Sequence, residues 1–266
     1  MLRRTCSSLG LIVILLGLVV LHAAAQQASV EASSSPFTLN VSLSGFVVPV
    51  GEQLAVELAR DASSDATTDP MYVQGWVLMD EGGDALTETA YDDAPEIADW
   101  LGSVSLCDAD GAPLPTGHYT LEISTTVGTF TIGIEATDGV PSGRFRLSAT
   151  VCGLSIELYR LVTEDDAGRT LDLRVGDQLM VVLQGNPTTG YEWSNALLYE
   201  YAVLRELAEP EYRPTSMDTG MVGAGGLYLF RFEAVDIGPQ AFQFVYRRSW
   251  ETTDSDREFV FDVVVR

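Results

Sequence analysis

The sequence predicts an all-β protein with two immunoglobulin-like β-sandwich domains in tandem, following a signal peptide. Three observations support this class. Short apolar segments alternate with polar residues in both halves, turns rich in Gly, Pro and Asp separate them at regular spacing, and no stretch sustains a helical period. A strand with this alternation buries one face only, so two sheets must pack face to face to form a core.

The N-terminal segment is expected to lie outside the folded domains. Two arginines precede an apolar run at 9–21, and three alanines at 23–25 allow cleavage, which indicates a secretory signal peptide at residues 1–25. The run is short for a membrane span of about 20 residues, although an uncleaved anchor is the alternative. Residues 26–36 predict a flexible tether. We therefore expect a secreted or periplasmic, extracytoplasmic protein.

Residues 37–155 predict an acidic β-sandwich domain, whose role the sequence does not identify. The alternating segments that predict its strands lie at 39–43, 54–58, 71–79, 104–107, 118–124, 129–136 and 144–152. One short helix is also expected, with Asp93 as its N-cap, Pro95 and Glu96 in its first turn, and its end near Leu101.

Residues 156–266 predict the second domain in the same style. Its strands are expected at 156–162, 171–174, 178–183, 199–207, 227–235, 241–246 and 258–265. Residues 50–58 of the first domain resemble residues 175–183, with six identities in nine. This echo is either a remnant of duplication or, more commonly, a Gly-acid turn that leads into an alternating strand.

The chain is strongly acidic, with 38 acidic residues, 15 basic residues and a net charge of −23. Every basic residue is Arg. The net negative charge belongs mainly to the first domain. Residues 26–155 hold 19 acidic and 3 basic residues, whereas residues 156–266 hold 19 acidic and 10 basic residues. Such a surface repels nucleic acid and anionic membranes. We expect neither as a partner, and no membrane contact beyond the export signal. We expect a monomer.

Residues that carry catalysis are scarce. His118 is the single histidine of the predicted mature chain and lies on a predicted strand, so a histidine cluster for zinc is excluded. The acidic loops at 61–69 and 108–110 could bind calcium, but their spacing is not that of a calcium loop. An acidic pair for glycoside hydrolysis stays open, although no pair stands out. We therefore expect no enzyme activity, no cofactor and no metal.

Two cysteines remain after the predicted signal peptide. Cys107 and Cys152 each end a predicted strand. In an exported chain they can form a disulfide, which we expect here, with two buried thiols as the alternative.

Three unusual segments occur in the second domain. Residues 186–193 read N-P-T-T-G-Y-E-W and follow a strand, residues 223–226 read G-A-G-G and precede one, and residues 248–250 read R-S-W and leave one. The first combines an Asn-Pro restraint with a Gly that permits positive φ, so it is stiff. The second allows another molecule to approach the backbone closely. The third carries Arg and Trp, which are enriched at binding hot spots.

In this order the segments resemble the motifs of the chagasin family of cysteine-peptidase inhibitors. That family carries N-P-T-T-G-[aromatic]-x-W, then G-x-G-G, then R-P-[aromatic], on three loops of an immunoglobulin-like sandwich. The first two motifs are complete here, whereas Ser249 stands where the family usually has Pro. Tyr246 and the residues from Arg257 onward also look like the family. The resemblance covers roughly residues 156–266.

The resemblance implies a reversible, tight-binding inhibitor of papain-like cysteine peptidases that fills the active-site cleft with a wedge of three loops. Thr188 and Thr189 would cover the catalytic cysteine, the glycines would contact one side of the cleft, and Trp250 would stack on the other. The implied inhibitory residues are Asn186, Pro187, Thr188, Thr189, Gly190, Gly223, Gly225, Gly226, Arg248 and Trp250.

Two further expectations accompany this interpretation. Trp193 is assigned to the core beneath the first motif, where it would hold the base of that loop. The alternative function is an immunoglobulin-like surface adhesion or ligand-binding protein that uses the same loops on a different ligand.

Overall fold

The computed structural model describes residues 29–32, 39–60, 70–138, 149–151, 154–197, 203–215, 225–251, 253 and 256–266. Over these residues the chain forms β-strands and three single turns of 3-10 helix, so the all-β class is confirmed. No helical turn in the described ranges has the length and apolar character of a membrane span. The predicted signal peptide, residues 1–25, lies outside the described residues.

The first half forms one six-stranded sheet and contributes strands to a second. In chain order its strands are β1 (Ser29–Ala32), β2 (Leu39–Pro49), β3 (Gln53–Arg60), β4 (Val73–Met79), β5 (Ala85–Ala90), β6 (Leu101–Ser105), β7 (Gly117–Thr125), β8 (Gly128–Thr137) and β9 (Ala149–Val151). The six-stranded sheet has the order β1-β2-β8-β7-β4-β5. Strand β1 lies within the segment that we predicted as a tether. Val56, Leu121 and Ile132 lie fully buried in the core between the sheets.

The second half forms a sandwich with an aromatic core. Its strands are β10 (Leu154–Val162), β11 (Thr170–Leu173), β12 (Gln178–Gly185), β13 (Glu192–Asn195), β14 (Leu204–Glu206), β15 (Glu211–Pro214), β16 (Gly226–Ala234), β17 (Gly238–Arg247) and β18 (Arg257–Val265). A four-stranded sheet has the order β11-β18-β17-β13. Its Phe244 meets Phe230 of β16 with ring centroids 4.7 Å apart, within the range of favourable aromatic pairs.

Strand β10 joins the two halves through a single eight-stranded sheet. It pairs antiparallel with β3 on one side and parallel with β12 on the other. The order is β14-β16-β12-β10-β3-β6, with β15 beside β16 and β9 beside β10. Leu158 packs in the first core and Val162 in the second. One continuous strand therefore spans the region near residue 155 where we placed the domain boundary.

The predicted helix at 93–101 is wrong. Only Ile97–Asp99 form a single 3-10 turn, and β6 begins directly afterwards at Leu101. The reason lies in the backbone hydrogen bonds, because Ile97 N donates to Met71 O at 2.8 Å and Val73 N donates to Pro95 O at 3.0 Å. The segment therefore pairs with the start of β4 instead of continuing a helix.

The echo between residues 50–58 and 175–183 has a structural explanation. Gly51 and Gly176 both adopt positive φ, at 80° and 97°, in the turns that lead into β3 and β12. These two strands lie on opposite sides of β10 in the shared sheet. The same turn and strand are thus used twice, once antiparallel and once parallel to the same neighbour.

The predicted disulfide between Cys107 and Cys152 stays a prediction. Cys107 follows β6 and is partly buried, whereas Cys152 lies outside the described residues.

Candidate functional site

The predicted segments lie at one end of the C-terminal sandwich. We define the first loop as residues 186–191, the second loop as residues 215–225 and the third loop as residues 248–256. Strand β12 ends at Gly185 opposite Gly226, where β16 begins. Strand β13 begins at Glu192 opposite Arg247, where β17 ends. The strand register therefore places the first loop between Arg248, at the start of the third loop, and Thr215 and Gly225, which are the described ends of the second loop.

Hydrogen bonds within the first loop hold it in one conformation. Residues Pro187–Thr189 form a 3-10 turn with Asn186 as its N-cap. The Asn186 side chain accepts from Thr188 N at 3.1 Å and from Thr188 Oγ1 at 2.7 Å. Gly190 closes the turn with φ 80°, and its N–H donates to Pro187 O at 2.9 Å. Asn186 as an extended N-cap, Pro187 as the first residue of the turn and Gly190 as its left-handed C-cap thus each occupy a position that suits their residue type.

The two threonines present acceptors to the outside. Thr188 donates its hydroxyl proton to Asn186 Oδ1, and Thr189 donates its own to Asn186 O at 2.7 Å. Both side chains are exposed. A hydroxyl has one proton and two lone pairs, so a ligand meets oxygen lone pairs and methyl groups here. The loop offers no charge and no free carboxylate to an approaching molecule.

Aromatic residues fix the base of the first loop. The hydroxyl of Tyr246, on β17, accepts from Asn186 N at 2.7 Å. Trp193 is buried and its Nε1 donates to Gln184 O at 2.9 Å, which confirms that it belongs to the core beneath the loop. Arg257 stacks its guanidinium 4.4 Å from the centre of the Tyr246 ring. These contacts tie the loop to both sheets of the sandwich.

The second loop leaves a tightly paired stem. Thr215 donates to Gly225 O from its backbone N at 3.1 Å and from its hydroxyl at 2.7 Å. A Cβ on Gly226 would lie 2.4 Å from Arg213 O and 2.6 Å from the Tyr212 ring. Gly226 is therefore required by the close approach of β15. Gly223 lies outside the described residues.

The third loop packs against the first. Arg248 Nε donates to Thr189 O at 3.0 Å, and its guanidinium lies 4.8 Å from the centre of the Tyr191 ring. Arg248 also pairs with Glu251. Trp250 reaches Gly190, where a Cβ would lie 2.7 Å from the indole ring. Trp250 nevertheless keeps 67% of its surface exposed, so most of this large apolar side chain is available to a partner.

A cleft of about 370 Å³ lies between the first loop and the Thr215–Gly225 stem. It is lined by Gln184, Gly185, Asn186, Thr215, Gly225, Gly226, Tyr246 and Arg257. Nearby, burial raises the pKa of Tyr228 to about 12, so its hydroxyl remains protonated at neutral pH. That hydroxyl donates to Tyr191 O at 3.4 Å. The end of the sandwich around this cleft thus presents backbone, hydroxyl, aromatic and guanidinium groups.

The other candidates from the sequence lie elsewhere in the fold. His118 is on β7 of the first domain, opposite Glu135. Asp108 uses its carboxylate to cap its own turn, accepting from Asp110 N at 3.0 Å and Ala112 N at 2.8 Å. Residues 61–69 lie outside the described residues. Among the described ranges, no group of three or more His, Cys, Asp or Glu side chains is placed to hold a metal ion.

Sequence reasoning missed how Tyr246 and Arg257 act. Both were noted as similar to the family, but without a role. Tyr246 is on an alternating strand, which predicts burial and nothing about its hydroxyl. Its contact with Asn186 spans 60 residues and depends on the register between β13 and β17. No local signal in the sequence could have revealed it.

Comparison with known proteins identifies similar molecules. Residues 172–265 match the chagasin family of peptidase inhibitors, I42. Amoebiasin-1 of Entamoeba histolytica is 30% identical over 105 residues, which are 40% of this chain and 98% of that protein. Chagasin of Trypanosoma cruzi is 29% identical over 97 residues, or 36% of this chain and 88% of that protein. The rest of this chain has no counterpart in amoebiasin-1, because nearly all of that protein is already matched.

A solved structure is similar over the same share of the chain. The crystal structure of the cysteine protease inhibitor EhICP2 from Entamoeba histolytica has 25% sequence identity and a TM-score of 0.35. The match covers 40% of this chain and 94% of that one.

Proposed function

Because this chain belongs to the chagasin family of peptidase inhibitors, we propose that its C-terminal domain is a reversible, tight-binding inhibitor of papain-like cysteine peptidases. The family consists of inhibitors, so the prediction that the chain is not an enzyme is confirmed. In this proposal residues 156–266 block the active-site cleft of the peptidase with the three loops.

The observation that carries the proposal is the convergence of the loops at one end of the sandwich. Gly185 lies opposite Gly226 in one sheet and Glu192 lies opposite Arg247 in the other, so the first loop lies beside the described ends of the other two. The first loop is already closed by its own hydrogen bonds. A preordered surface loses little conformational entropy on binding, so nanomolar affinity, about −12 kcal/mol, is attainable.

The first loop forms the centre of the proposed wedge. Thr188 and Thr189 lie over the catalytic cysteine of the peptidase and exclude substrate with methyl groups and hydroxyl oxygens. Their hydroxyl protons are already donated to Asn186. The backbone here is a tight 3-10 turn and not an extended strand. It therefore does not lie in the cleft as a peptide substrate would, and inhibition is reversible.

The other two loops form the flanks. Gly225 approaches one side of the cleft through its backbone, since it carries no side chain, whereas Gly226 is buried between β12 and β15 and holds the stem behind it. Trp250 stacks on an apolar wall on the other side, and Arg248, which holds Thr189 O, adds hydrogen bonds. Aromatic and Arg side chains of this kind carry most of the binding energy in many interfaces.

Titration of papain with the purified chain tests the proposal. We expect stoichiometric loss of activity at nanomolar concentrations and full recovery of activity on dilution. Absence of inhibition at micromolar concentration would refute the function. Cleavage of the chain at the first loop during inhibition would refute the mechanism.

A papain variant with alanine in place of its catalytic cysteine is the matched control. We expect it to bind the chain with similar affinity, because no covalent bond is involved. A loss of more than tenfold in affinity would instead mean that the thiol takes part in binding.

We also propose that the chain acts outside the cytoplasm as a monomer. The support is the pattern of the first 25 residues and the acidic composition of the rest. N-terminal sequencing of the exported protein tests the cleavage site, with Gln26 expected as its first residue. The sedimentation coefficient of the purified chain tests its oligomeric state, and we expect the value of a monomer.

A further inference from the structure

Thr188 and Thr189 form the tip of the first loop and donate all of their N–H and O–H protons to Asn186. The backbone N–H and the hydroxyl of Thr188 both reach Asn186 Oδ1, at 3.1 Å and 2.7 Å. The backbone N–H and the hydroxyl of Thr189 both reach Asn186 O, at 3.3 Å and 2.7 Å. The flanking residues add no free donor, because Pro187 has no N–H and Gly190 N donates to Pro187 O at 2.9 Å. The tip, residues 187–190, is therefore left without a proton to offer a partner.

The direction of the hydroxyl bonds is fixed by chemistry. A carbonyl oxygen can only accept, so each threonine hydroxyl must be the donor in its bond. The same holds for the side chain of Asn186, because the atom that meets the Thr188 hydroxyl also accepts from a backbone N–H and must be the oxygen. Each hydroxyl keeps two lone pairs, and both side chains are exposed. Toward a partner, the two hydroxyl oxygens are therefore acceptors and nothing else.

The charged groups around the tip are engaged with other parts of the protein. Arg248 donates from Nε to Thr189 O at 3.0 Å and pairs with Glu251 on its own loop. Glu192, just after the first loop, lies opposite Arg247 in the register of β13 and β17. No residue of the tip itself carries a charge. The polar groups that a partner meets at the tip are therefore the two hydroxyl oxygens.

The active centre of a papain-like cysteine peptidase offers groups that complement such a tip. The catalytic cysteine is a thiolate, with a pKa of about 3–4, and its histidine partner is then an imidazolium. An imidazolium has two N–H donors and no acceptor, whereas a thiolate has only lone pairs. A loop that can only accept is matched to the imidazolium, and its methyl groups are the part that the thiolate can tolerate.

We propose that Thr188 and Thr189 recognise the protonated form of the peptidase's catalytic histidine by accepting its N–H protons. This inference rests on the proposed inhibitory function of the three loops, and it names the protonation state of the partner that the tip selects. A hydrogen bond from a charged donor contributes more than one from a neutral donor. The dissociation constant for a peptidase with neutral imidazole is therefore about 3–10-fold higher than for the imidazolium form.

The papain variant with alanine in place of its catalytic cysteine tests this preference directly. Without the thiolate, its catalytic histidine titrates in the ordinary range near pH 6.5. Both histidines of this chain, His22 and His118, precede the C-terminal domain, so no histidine of the loops titrates there. By reciprocity, a ligand that prefers the protonated form 3–10-fold raises the pKa of that histidine by about 0.5–1. We expect an NMR titration of the complex with the parent chain to show this rise, and an unchanged or lowered histidine pKa overturns the proposal.

Paired substitutions in the full chain separate the hydroxyl oxygens from the methyl groups. Thr188→Val with Thr189→Val keeps the shape of both side chains but removes both acceptors. Thr188→Ser with Thr189→Ser keeps the acceptors and removes the methyl groups. The control is Thr170→Val, because Thr170 is an exposed threonine on β11, opposite Asp262 and outside the three loops.

We expect the paired valine variant to raise the inhibition constant for papain about 10–100-fold and the control to leave it within twofold. The paired serine variant should inhibit at least fivefold better than the paired valine variant. A valine variant that inhibits as well as the parent chain, or better than the serine variant, overturns the proposal.

The histidine pKa also distinguishes recognition from a loosened loop. Valine cannot donate to Asn186, so part of the lost affinity comes from disorder of the turn, and that part is the same for both forms of the histidine. We therefore expect the complex with the paired valine variant to leave the histidine pKa unchanged, and a rise equal to that of the parent chain overturns the proposal. If the parent chain binds neither form of papain, the proposed function fails. If it inhibits papain without raising the histidine pKa, only the present inference fails.

Discussion

Asn186→Ala is the substitution that tests the conformation of the first loop most directly. The Asn186 side chain accepts two hydrogen bonds from Thr188, at 3.1 Å and 2.7 Å, and Ala can accept neither. The backbone N–H of Asn186 still reaches the Tyr246 hydroxyl. The change therefore loosens the turn without detaching its base.

The expected loss of affinity follows from the two lost hydrogen bonds. A typical intramolecular hydrogen bond contributes about 0.5–1.5 kcal/mol net, and loss of an N-cap costs about 1 kcal/mol. Both bonds are exposed, so we take the lower half of that range, about 1–2 kcal/mol in total. A loop that must be ordered on binding loses this amount from affinity. The inhibition constant should rise about 5–30-fold, since about 1.4 kcal/mol is tenfold.

The assay compares inhibition constants for papain and thermal unfolding midpoints. We expect the midpoint of Asn186→Ala to change little, because the loop is exposed and lies outside the core. Asn195→Ala is the control, since Asn195 ends β13 away from the loop and likewise accepts a bond, from Leu197 N at 3.2 Å. It should inhibit within twofold of the parent chain.

Asn186→Asp supplies a second comparison. A carboxylate caps a helical turn as well as an amide and can accept both bonds from Thr188. Its inhibition constant should therefore lie between those of the parent chain and Asn186→Ala. If Asn186→Ala inhibits within twofold of the parent chain, the ordered turn is not the binding conformation, and the argument from preordering fails.

Three further predictions concern the third loop and the ion pairs of Glu211 with Arg213 and Arg231. Trp250→Ala should raise the inhibition constant at least 30-fold, which corresponds to about 2 kcal/mol. Ile237→Ala is the control, because Ile237 is 66% exposed at the opposite end of the sandwich, and it should leave the inhibition constant unchanged. Equal effects of the two substitutions would contradict a hot spot at Trp250. Ser249→Pro should lower the inhibition constant about 2–5-fold by restricting the free loop, about 0.5–1 kcal/mol, and weaker inhibition would mean that this loop departs from the family geometry. Burial tends to raise the pKa of Glu211, but hydrogen bonds from arginines outweigh it and hold the pKa below 4.5. The stability from this carboxylate is therefore present above pH 4.5 and lost as pH falls through the lower, folded-state pKa. The difference in unfolding free energy between the parent chain and Glu211→Gln should shrink in that window, and a difference that stays constant down to pH 2 would contradict the pairing.

Several elements of the fold depend on their local sequence alone. The alternating segments became β7, β8, β17 and β18, because a period of two buries one face of a strand wherever the second sheet lies. Strands β12 and β16 are instead buried on both faces. The first loop was equally predictable. Asn before Pro favours an extended backbone, Pro187 fixes its own φ, and Gly190 takes the left-handed conformation that glycine allows.

Other elements were decided by partners far along the chain. The expected helix near residue 97 gave way to pairing with residues 71–73. Short strands such as β5 and β15 carry weak patterns of their own and form because a neighbour supplies hydrogen bonds.

The sequence by itself determined the class of the fold and the conformation of the first loop, because each depends on neighbours within a few positions. Only the tertiary structure decided that β10 belongs to both domains and that Glu57 meets Arg213 and Arg231 across more than 150 residues. Those contacts depend on how a twisted sheet curls, which follows from the packing of all its strands together. For this reason the contact of the first domain with Arg213 and Arg231 is visible only in three dimensions.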